Sequence, residues 1–174
     1  LGLPCLVVLN LLDRERASLD RSLESLQGSL GRTVVPIQIP IGSEKDFSGL
    51  VDLIGMKSIN FSADKNGTAT NGEVPEALND QATKAQEALI EMVAEADDSL
   101  MEKFFEEATL GQEDLERGLK QAAIAREIFP LVCTSAHANI GIQTLLDAIT
   151  TYVPSAADHP LPAVNRETTE PESY

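Results

Sequence analysis

The sequence predicts an α/β fold in which a parallel sheet flanked by helices carries an inserted α+β subdomain. Two apolar runs, residues 3–9 and 128–133, have the length of strands that are covered on both faces. A helical pattern with one apolar face follows each run. The long segment between the runs combines short β-like pieces with acidic helical stretches, so we expect one sheet whose strands are separated by an insertion.

Composition narrows the class of protein. A chain of 174 residues with 43% hydrophobic content can bury one core of ordinary size together with a subdomain. The formal net charge of −15 disfavours nucleic-acid and anionic membrane surfaces, which repel carboxylates, and favours a basic protein partner. Because no run of about 18 apolar residues is present, we expect no membrane-spanning helix. Cys5 and Cys133 lie in apolar runs and are expected to be free thiols in a reducing compartment, which favours a cytoplasmic location.

The first apolar run leads into a helix. Leu19, Leu23, Leu26 and Leu30 recur at helical spacing until Gly31 ends the pattern. The chain starts with Leu and enters a strand almost at once, so we expect it to be a segment of a longer protein.

The next region changes to β-like periodicity. Residues 34–41, 50–54 and 56–61 form short apolar pieces separated by glycines, which predicts a small mixed or antiparallel sheet. Residues 62–72 are polar and rich in turn-forming side chains, so we expect an exposed loop there.

A long helical stretch is predicted to begin at Pro75. Between Leu89 and Phe104 the apolar side chains share one helical face, and six carboxylates share another: Glu87, Glu91, Glu95, Asp98, Glu102 and Glu106. Residues 73–116 carry 14 acidic and two basic side chains, a net charge of −12 out of the chain's −15. The acidic stripe 87–106 is either a solvated helix face or a surface that docks a protein.

The remaining pattern returns to the parallel-sheet type. A helix is predicted over residues 112–127, and the second strand, 128–133, follows it. A last helix over 142–153 is expected to direct Leu145, Leu146 and Ile149 inward. From Pro154 the chain becomes Pro-rich and polar, which predicts a linker over 155–174.

Polar residues stand at the carboxyl end of the first strand, in the tetrad Asn10-Leu11-Leu12-Asp13. Guanine presents its N1–H and N2 amine as adjacent donors, and a carboxylate such as Asp13 accepts both, whereas adenine has an acceptor at N1. Asn10 could contact the other edge of the base and also tie neighbouring loops together. The tetrad alone fits equally a strand end that caps the following helix.

The second strand ends in Thr134-Ser135-Ala136. Small residues at that point would let a backbone N–H approach a base oxygen, and open parallel sheets bind ligands at the carboxyl ends of their strands. Asp13 and Ser135 would then meet at one purine although 121 residues lie between them. The alternative for Ser135 and Ala136 is an ordinary exit from strand to loop.

The sequence gives little support for a metal site or a catalytic nucleophile. His137 and His159 have no Cys or paired His near them, so we expect no metal site. Ser135 lies two residues from His137 but lacks an orienting acid or an oxyanion feature, so we expect no catalytic nucleophile.

These motifs together resemble bacterial elongation factor G, the translational GTPase that drives translocation on the ribosome. The family has Asn-Lys-x-Asp and Ser-Ala motifs with an extra subdomain inserted between them, and general GTPases lack the middle stretch. The resemblance is carried by residues 10–14, 34–42, 47–57 and 145–154, and by Ser135-Ala136 with Asn139 and Gly141.

The resemblance implies that the chain is an internal fragment of a P-loop GTPase domain. Residues 1–32 and 127–154 would be the C-terminal half of that domain, residues 33–126 the inserted acidic subdomain, and residues 155–174 a linker toward a following domain. It implies binding of GTP or GDP, with Mg²⁺ held in the full-length protein by ligands outside this chain. The implied nucleotide-binding residues are Asn10, Leu11, Asp13, Ser135 and Ala136.

The resemblance also implies the ribosome as partner, with stalk proteins facing the acidic helix 87–106. Leu11 departs from the family, which has Lys at this place. Neither a G-x-x-x-x-G-K-[ST] phosphate loop nor a D-x-x-G followed by His occurs in the 174 residues. We therefore expect the guanine-reading half of a site, and neither GTP hydrolysis nor tight nucleotide binding by this chain alone.

Two alternatives stay open. One is another ribosome-associated GTPase, of the ribosomal protection or release factor type. The other is a non-hydrolysing interaction module that binds a basic partner through its acidic helix, a hypothesis that the substitution of Leu11 for Lys supports.

Overall fold

The computed structural model describes residues 3–62, 66–155, 162–164 and 171–173. The helices of this part of the chain are α1 (Leu19–Leu30), α2 (Asn79–Glu95), α3 (Asp98–Glu107), α4 (Gln112–Ala125) and α5 (Ile142–Tyr152). The strands are β1 (Val7–Leu9), β2 (Val34–Pro36), β3 (Gln38–Ile41), β4 (Gly49–Asp52), β5 (Lys57–Phe61), β6 (Ala69–Gly72), β7 (Phe129–Cys133), β8 (Pro162–Val164) and β9 (Pro171–Ser173).

A parallel sheet brings the first and last parts of the domain together. Its order is β1-β7-β2, and Leu9 of β1 lies opposite Cys133 of β7. The central strand β7 is almost fully buried, as its continuous apolar sequence predicts. The run 3–9 was also predicted to be covered on both faces, but Val8 of β1, at the edge of the described sheet, is 43% exposed. The prediction of an α/β fold with a parallel sheet, flanking helices and an inserted subdomain is confirmed.

A second, antiparallel sheet has the order β3-β4-β5-β6. The chain passes from one sheet to the other at Ile37, whose N–H donates to Leu131 (3.0 Å) and whose carbonyl accepts from Leu53 (3.1 Å). Residues 34–41 were predicted to lie in one small sheet, but Val34–Pro36 pairs with β7 instead. Pro36 has no N–H with which to continue a ladder, and the chain changes sheets immediately after it.

The strand β6 lies where a loop was predicted over residues 62–72. It pairs with β5, and all four of its residues are exposed. An exposed edge strand needs no apolar alternation, so only backbone pairing distinguishes it from a polar loop.

The acidic stretch forms two helices rather than one. Asp97 interrupts it with extended backbone (φ −145°), and its carboxylate accepts hydrogen bonds from the N–H groups of Ser99 (2.8 Å) and Leu100 (3.2 Å). This N-cap starts α3, because an aspartate outside the helix satisfies N–H groups that have no intrahelical partner. The acidic stripe 87–106 therefore lies on α2 and α3.

Only part of the predicted inward face of the last helix is buried, because Leu145 packs against the core as expected but Leu146 and Ile149 do not. Ala148 and Tyr152 of α5 are buried, whereas Leu146 and Ile149 are 51% and 41% exposed. The helix is apolar on both candidate faces, so the side-chain pattern alone cannot choose between them.

One apolar core joins the two sheets and their helices. Its fully buried members include Leu50 of β4, Leu89 of α2, Leu119 of α4 and Leu131 of β7. Cys5 is exposed and Cys133 buried, and both are free thiols. Burial raises the pKa of Cys133 to about 12. None of the described helices combines the length and the apolar character that crossing a membrane requires.

The predicted linker over 155–174 lies largely outside the described residues. Within it the structure describes Ser155 and the strands β8 and β9, which pair antiparallel.

Candidate functional site

Two loops leave the parallel sheet side by side, one after β1 and one after β7. The backbone ladder continues past the strands: Thr134 N–H donates to Leu9 (2.8 Å), and Leu12 N–H donates to the carbonyl of Thr134 (3.3 Å). Because parallel strands end at the same edge of a sheet, the tetrad 10–13 and the segment 134–136 face each other there.

The side-chain oxygen of Asn10 ties these loops together. It accepts hydrogen bonds from the N–H groups of Leu11 (2.8 Å) and Ala136 (3.0 Å) and from the hydroxyl of Thr134 (3.3 Å). Its amide nitrogen donates to none of the described residues, so two N–H donors at this edge remain available to a ligand.

A second cross-link joins Asp13 to Ser135. The Ser135 hydroxyl donates to Oδ1 of Asp13 (2.7 Å) and accepts from the N–H of Ala138 (3.2 Å). Oδ2 of Asp13 lies 3.7 Å from Nε of Arg14, and the Asp13 side chain is 17% exposed. A carboxylate has about four acceptor positions, so Asp13 can still accept from an external pair of donors.

The pKa of Asp13 lies below its ordinary value, chiefly because of the Ser135 hydrogen bond. Desolvation acts in the opposite direction, while the backbone N–H of Asp13 itself and the charges of Arg14 and His137 also lower the pKa. The site therefore favours an ionised acceptor at Asp13.

The two leucines of the tetrad differ in burial. Leu12 is 4% exposed and belongs to the core, whereas Leu11 is 47% exposed and has left-handed backbone (φ 67°). A turn follows, in which Arg14 N–H donates to Leu11 (3.1 Å). The buried Leu12 thus holds the loop while Leu11 is presented at its surface.

The loop after β7 is closed by paired backbone hydrogen bonds. Ser135 N–H donates to Ile140 (2.9 Å), and Ile140 N–H donates back to Ser135 (3.0 Å). Gly141 then starts α5 at φ 75°, where an added Cβ would lie 2.5 Å from the carbonyl oxygen of Cys133. A glycine is required at this tight turn.

All five predicted site residues contribute side chains or N–H groups to this network: Asn10, Leu11, Asp13, Ser135 and Ala136. Leu11 contributes its backbone N–H, and its side chain is exposed. One detail differs from expectation, because the Ala136 N–H is donated to Asn10 rather than left for a base oxygen. Thr134 also belongs to the network. Its position at a strand end was visible in the sequence, but its hydroxyl bond was not.

Neither a metal site nor a nucleophile is evident in the described part of the chain. Those residues contain no group of three or more His, Cys, Asp or Glu side chains that could hold a metal ion. The Ser135 hydroxyl is engaged by Asp13 and Ala138, and His159 lies outside the described residues.

Comparisons with known proteins agree with the geometry. A family model described as the elongation factor Tu GTP binding domain matches residues 1–155. A crystal structure of a protein from Thermus thermophilus is similar to this chain with a TM-score of 0.79 and 28% sequence identity. The similarity covers 90% of this chain and 23% of that one, so the chain spans less than a quarter of that protein's length.

Proposed function

Because this chain belongs to the elongation factor Tu GTP-binding domain family, we propose that it forms the guanine-reading part of an elongation factor G-like GTPase that promotes ribosomal translocation. The full-length protein would bind GTP and GDP in the cytoplasm and hydrolyse GTP. The observation that carries the proposal is the cross-linking of Asn10 and Asp13 to the loop after β7.

The donor and acceptor set fits guanine. Bound guanine would supply two adjacent donors, N1–H and the N2 amine, for which the ionised Asp13 is a matched acceptor. The free N–H groups of Asn10 would suit the acceptors on another edge of the base. Ser135 holds Asp13 in place, and Thr134 and Ala136 hold Asn10, so the site is ordered before a ligand arrives.

We assign the catalytic half of the nucleotide site to residues outside this chain. The sequence holds no phosphate-loop motif and no D-x-x-G followed by His. The Mg²⁺ ligands and the groups that position the attacking water would therefore come from elsewhere in the full-length protein.

We further propose that the insertion spans residues 37–126, since β2 pairs with the parallel sheet.

The proposed partner is the ribosome, with its stalk proteins facing α2 and α3. The carboxylates Glu91, Glu95, Glu102 and Glu106 are exposed there, and Phe105 between them is 78% exposed. An acidic surface around an exposed aromatic side chain suits a basic partner with an apolar contact.

A second candidate is an interaction module with a degenerate, non-hydrolysing nucleotide fold. The observation in its favour is Leu11, which cannot supply the ammonium that the family's Lys supplies. Another translational GTPase, of the ribosomal protection or release factor type, would share the site described above and differ in the remaining domains.

The test is an exchange of donor and acceptor at Asp13 in the full-length protein. Asp13→Asn replaces one acceptor by an amide donor, so GDP binding should weaken by about 1 to 3 kcal/mol while binding of xanthosine diphosphate improves. Titrations with fluorescent analogues of both nucleotides measure the two affinities. Asp20→Asn, which changes an exposed carboxylate in α1, is the matched control. Unchanged GDP affinity in Asp13→Asn would contradict the proposal.

A further inference from the structure

A hydrogen bond connects the loop that carries Asp13 to the antiparallel sheet. The backbone N–H of Arg16 donates to Oε1 of Glu44 over 2.7 Å. Glu44 lies between β3 and β4, whereas Arg16 lies between the tetrad 10–13 and α1. We call residues 10–18, which connect β1 to α1, the base-recognition loop. The bond therefore joins this loop to the inserted subdomain, at a residue 28 positions further along the chain.

Both backbone polar groups of Arg16 are hydrogen-bonded to side chains. Its carbonyl accepts from the guanidinium of Arg21, while its N–H is taken by Glu44. The residue adopts left-handed backbone (φ 64°), and Ala17 N–H donates to Arg14 (3.1 Å) to close the turn 14–17. Left-handed backbone is uncommon outside glycine, so this turn depends on the contacts that hold it.

Glu44 is itself presented by an ordered turn. It begins the short helical turn Glu44–Asp46, in which Phe47 N–H donates to the Glu44 carbonyl (3.1 Å). Phe47 is 4% exposed and anchors the turn in the core. The carboxylate of Glu44 thus starts from a fixed backbone position.

Packing between the two segments is incomplete beside this hydrogen bond. An open cavity of about 290 Å³ lies between them, lined by Leu12, Ala17 and Ser18 from the base-recognition side and by Pro40, Gly42 and Ser43 from the other. Beside this cavity the Arg16–Glu44 hydrogen bond connects the two loops.

We propose that Glu44 is a positioning residue for guanine recognition. By holding Arg16 it fixes the turn directly after Asp13, so the orientation of that carboxylate depends on the inserted subdomain. The inference rests on the proposed function, because it assumes that Asp13 reads guanine.

The experiment compares GDP with inosine diphosphate in the full-length protein. Hypoxanthine lacks the N2 amine, so the ratio of the two dissociation constants reports how well Asp13 meets that amine. Glu44→Ala should weaken GDP binding about threefold to tenfold and weaken inosine diphosphate binding less, which narrows the ratio. Glu44→Gln should stay close to the parent, because its amide oxygen still accepts from Arg16.

Asp46→Ala is the matched control, because it removes an exposed carboxylate from the same turn. It should leave both dissociation constants unchanged. Equal weakening of both nucleotides by Glu44→Ala, or no weakening at all, would overturn the positioning role. Asp13→Asn separates the two hypotheses: if it too leaves GDP affinity unchanged, the proposed function fails, and if it alone weakens GDP binding, only the role of Glu44 fails.

Discussion

Asp13 and Ser135 are 122 residues apart in the sequence, and a hydrogen bond of 2.7 Å joins their side chains. The bond closes the carboxyl edge of the parallel sheet between β1 and β7. It also stabilises the charged form of Asp13, which is the form that can accept two donors from one base edge. One hydroxyl group, that of Ser135, thus both links two distant segments and favours the ionised form of Asp13.

Ser135→Ala should shift the acid limb of GDP binding to higher pH. The lowered pKa of Asp13 contributes stability that is present above the ordinary aspartate pKa of 3.8 and is lost as pH falls through the folded pKa. Without the hydroxyl, the pKa of Asp13 rises, so the carboxylate is protonated earlier on acidification. GDP dissociation constants measured in the full-length protein from about pH 6 down to about pH 3 test this shift.

The control for that shift is Ser29→Ala, which removes an exposed hydroxyl bonded within α1 to Ser25. Its pH profile should match that of the parent. Superimposable profiles for Ser135→Ala and the parent would show that the hydrogen bond does not govern the ionisation of Asp13.

Leu11→Lys should tighten GDP binding in the full-length protein. Leu11 is 47% exposed beside the site, so a lysine stem can follow the same course while its ammonium reaches polar groups that leucine cannot. A charge-assisted hydrogen bond would add about 1.5 to 3 kcal/mol. Leu11→Met supplies the unbranched stem without the charge. Equal GDP affinity for the Lys and Met variants would mean that the ammonium contributes nothing.

The sequence predicts most of the fold because its principal elements repeat their apolar pattern over many positions. The apolar run 128–133 is long enough to identify a buried strand, and the spaced leucines of α1 are enough to identify a helix. The strand β6 and the break at Asp97 are not, since the first depends on backbone pairing of exposed residues and the second on one side chain that caps α3. The inward face of α5 is ambiguous because the helix is apolar on more than one side.

Some contacts of the candidate site were predictable from the sequence, and others were not. The proximity of Asn10 and Asp13 to Ser135 was predictable, because polar residues follow two apolar runs of strand length and strands of one parallel sheet end at the same edge. The contact between Arg16 and Glu44 was not predictable, because it joins two non-glycine residues in left-handed backbone (φ 64° and 53°). Side-chain preferences carry little information about such positions.

Charge reversal on the acidic face should slow association with a basic partner. Glu102→Lys combined with Glu106→Lys changes the local charge by four units around the exposed Phe105. Because long-range attraction mainly sets association rates, ribosome-stimulated GTP hydrolysis by the full-length protein should fall when ribosomes are limiting, and it should fall less at high salt. Glu24→Lys on α1 is the control for charge alone. Equal hydrolysis in the double variant and the parent at low salt would remove this face from the partner surface.

Two helical glycines should respond in opposite directions to the same substitution. Gly28 of α1 has open space around its missing Cβ, so Gly28→Ala should stabilise the protein by about 0.5 to 1 kcal/mol through helix propensity.

Gly118 of α4 gains the same propensity, but an added Cβ there would overlap methyl groups of Val93 and Leu100, which are 0% and 1% exposed. Overpacking of a filled core costs about 1 to 3 kcal/mol, so Gly118→Ala should be destabilising overall. Urea unfolding of the parent and both variants gives the comparison. A stabilised Gly118→Ala would show that α2 and α3 can move away from α4 at little cost, and that the insertion is less rigid than its buried contacts indicate.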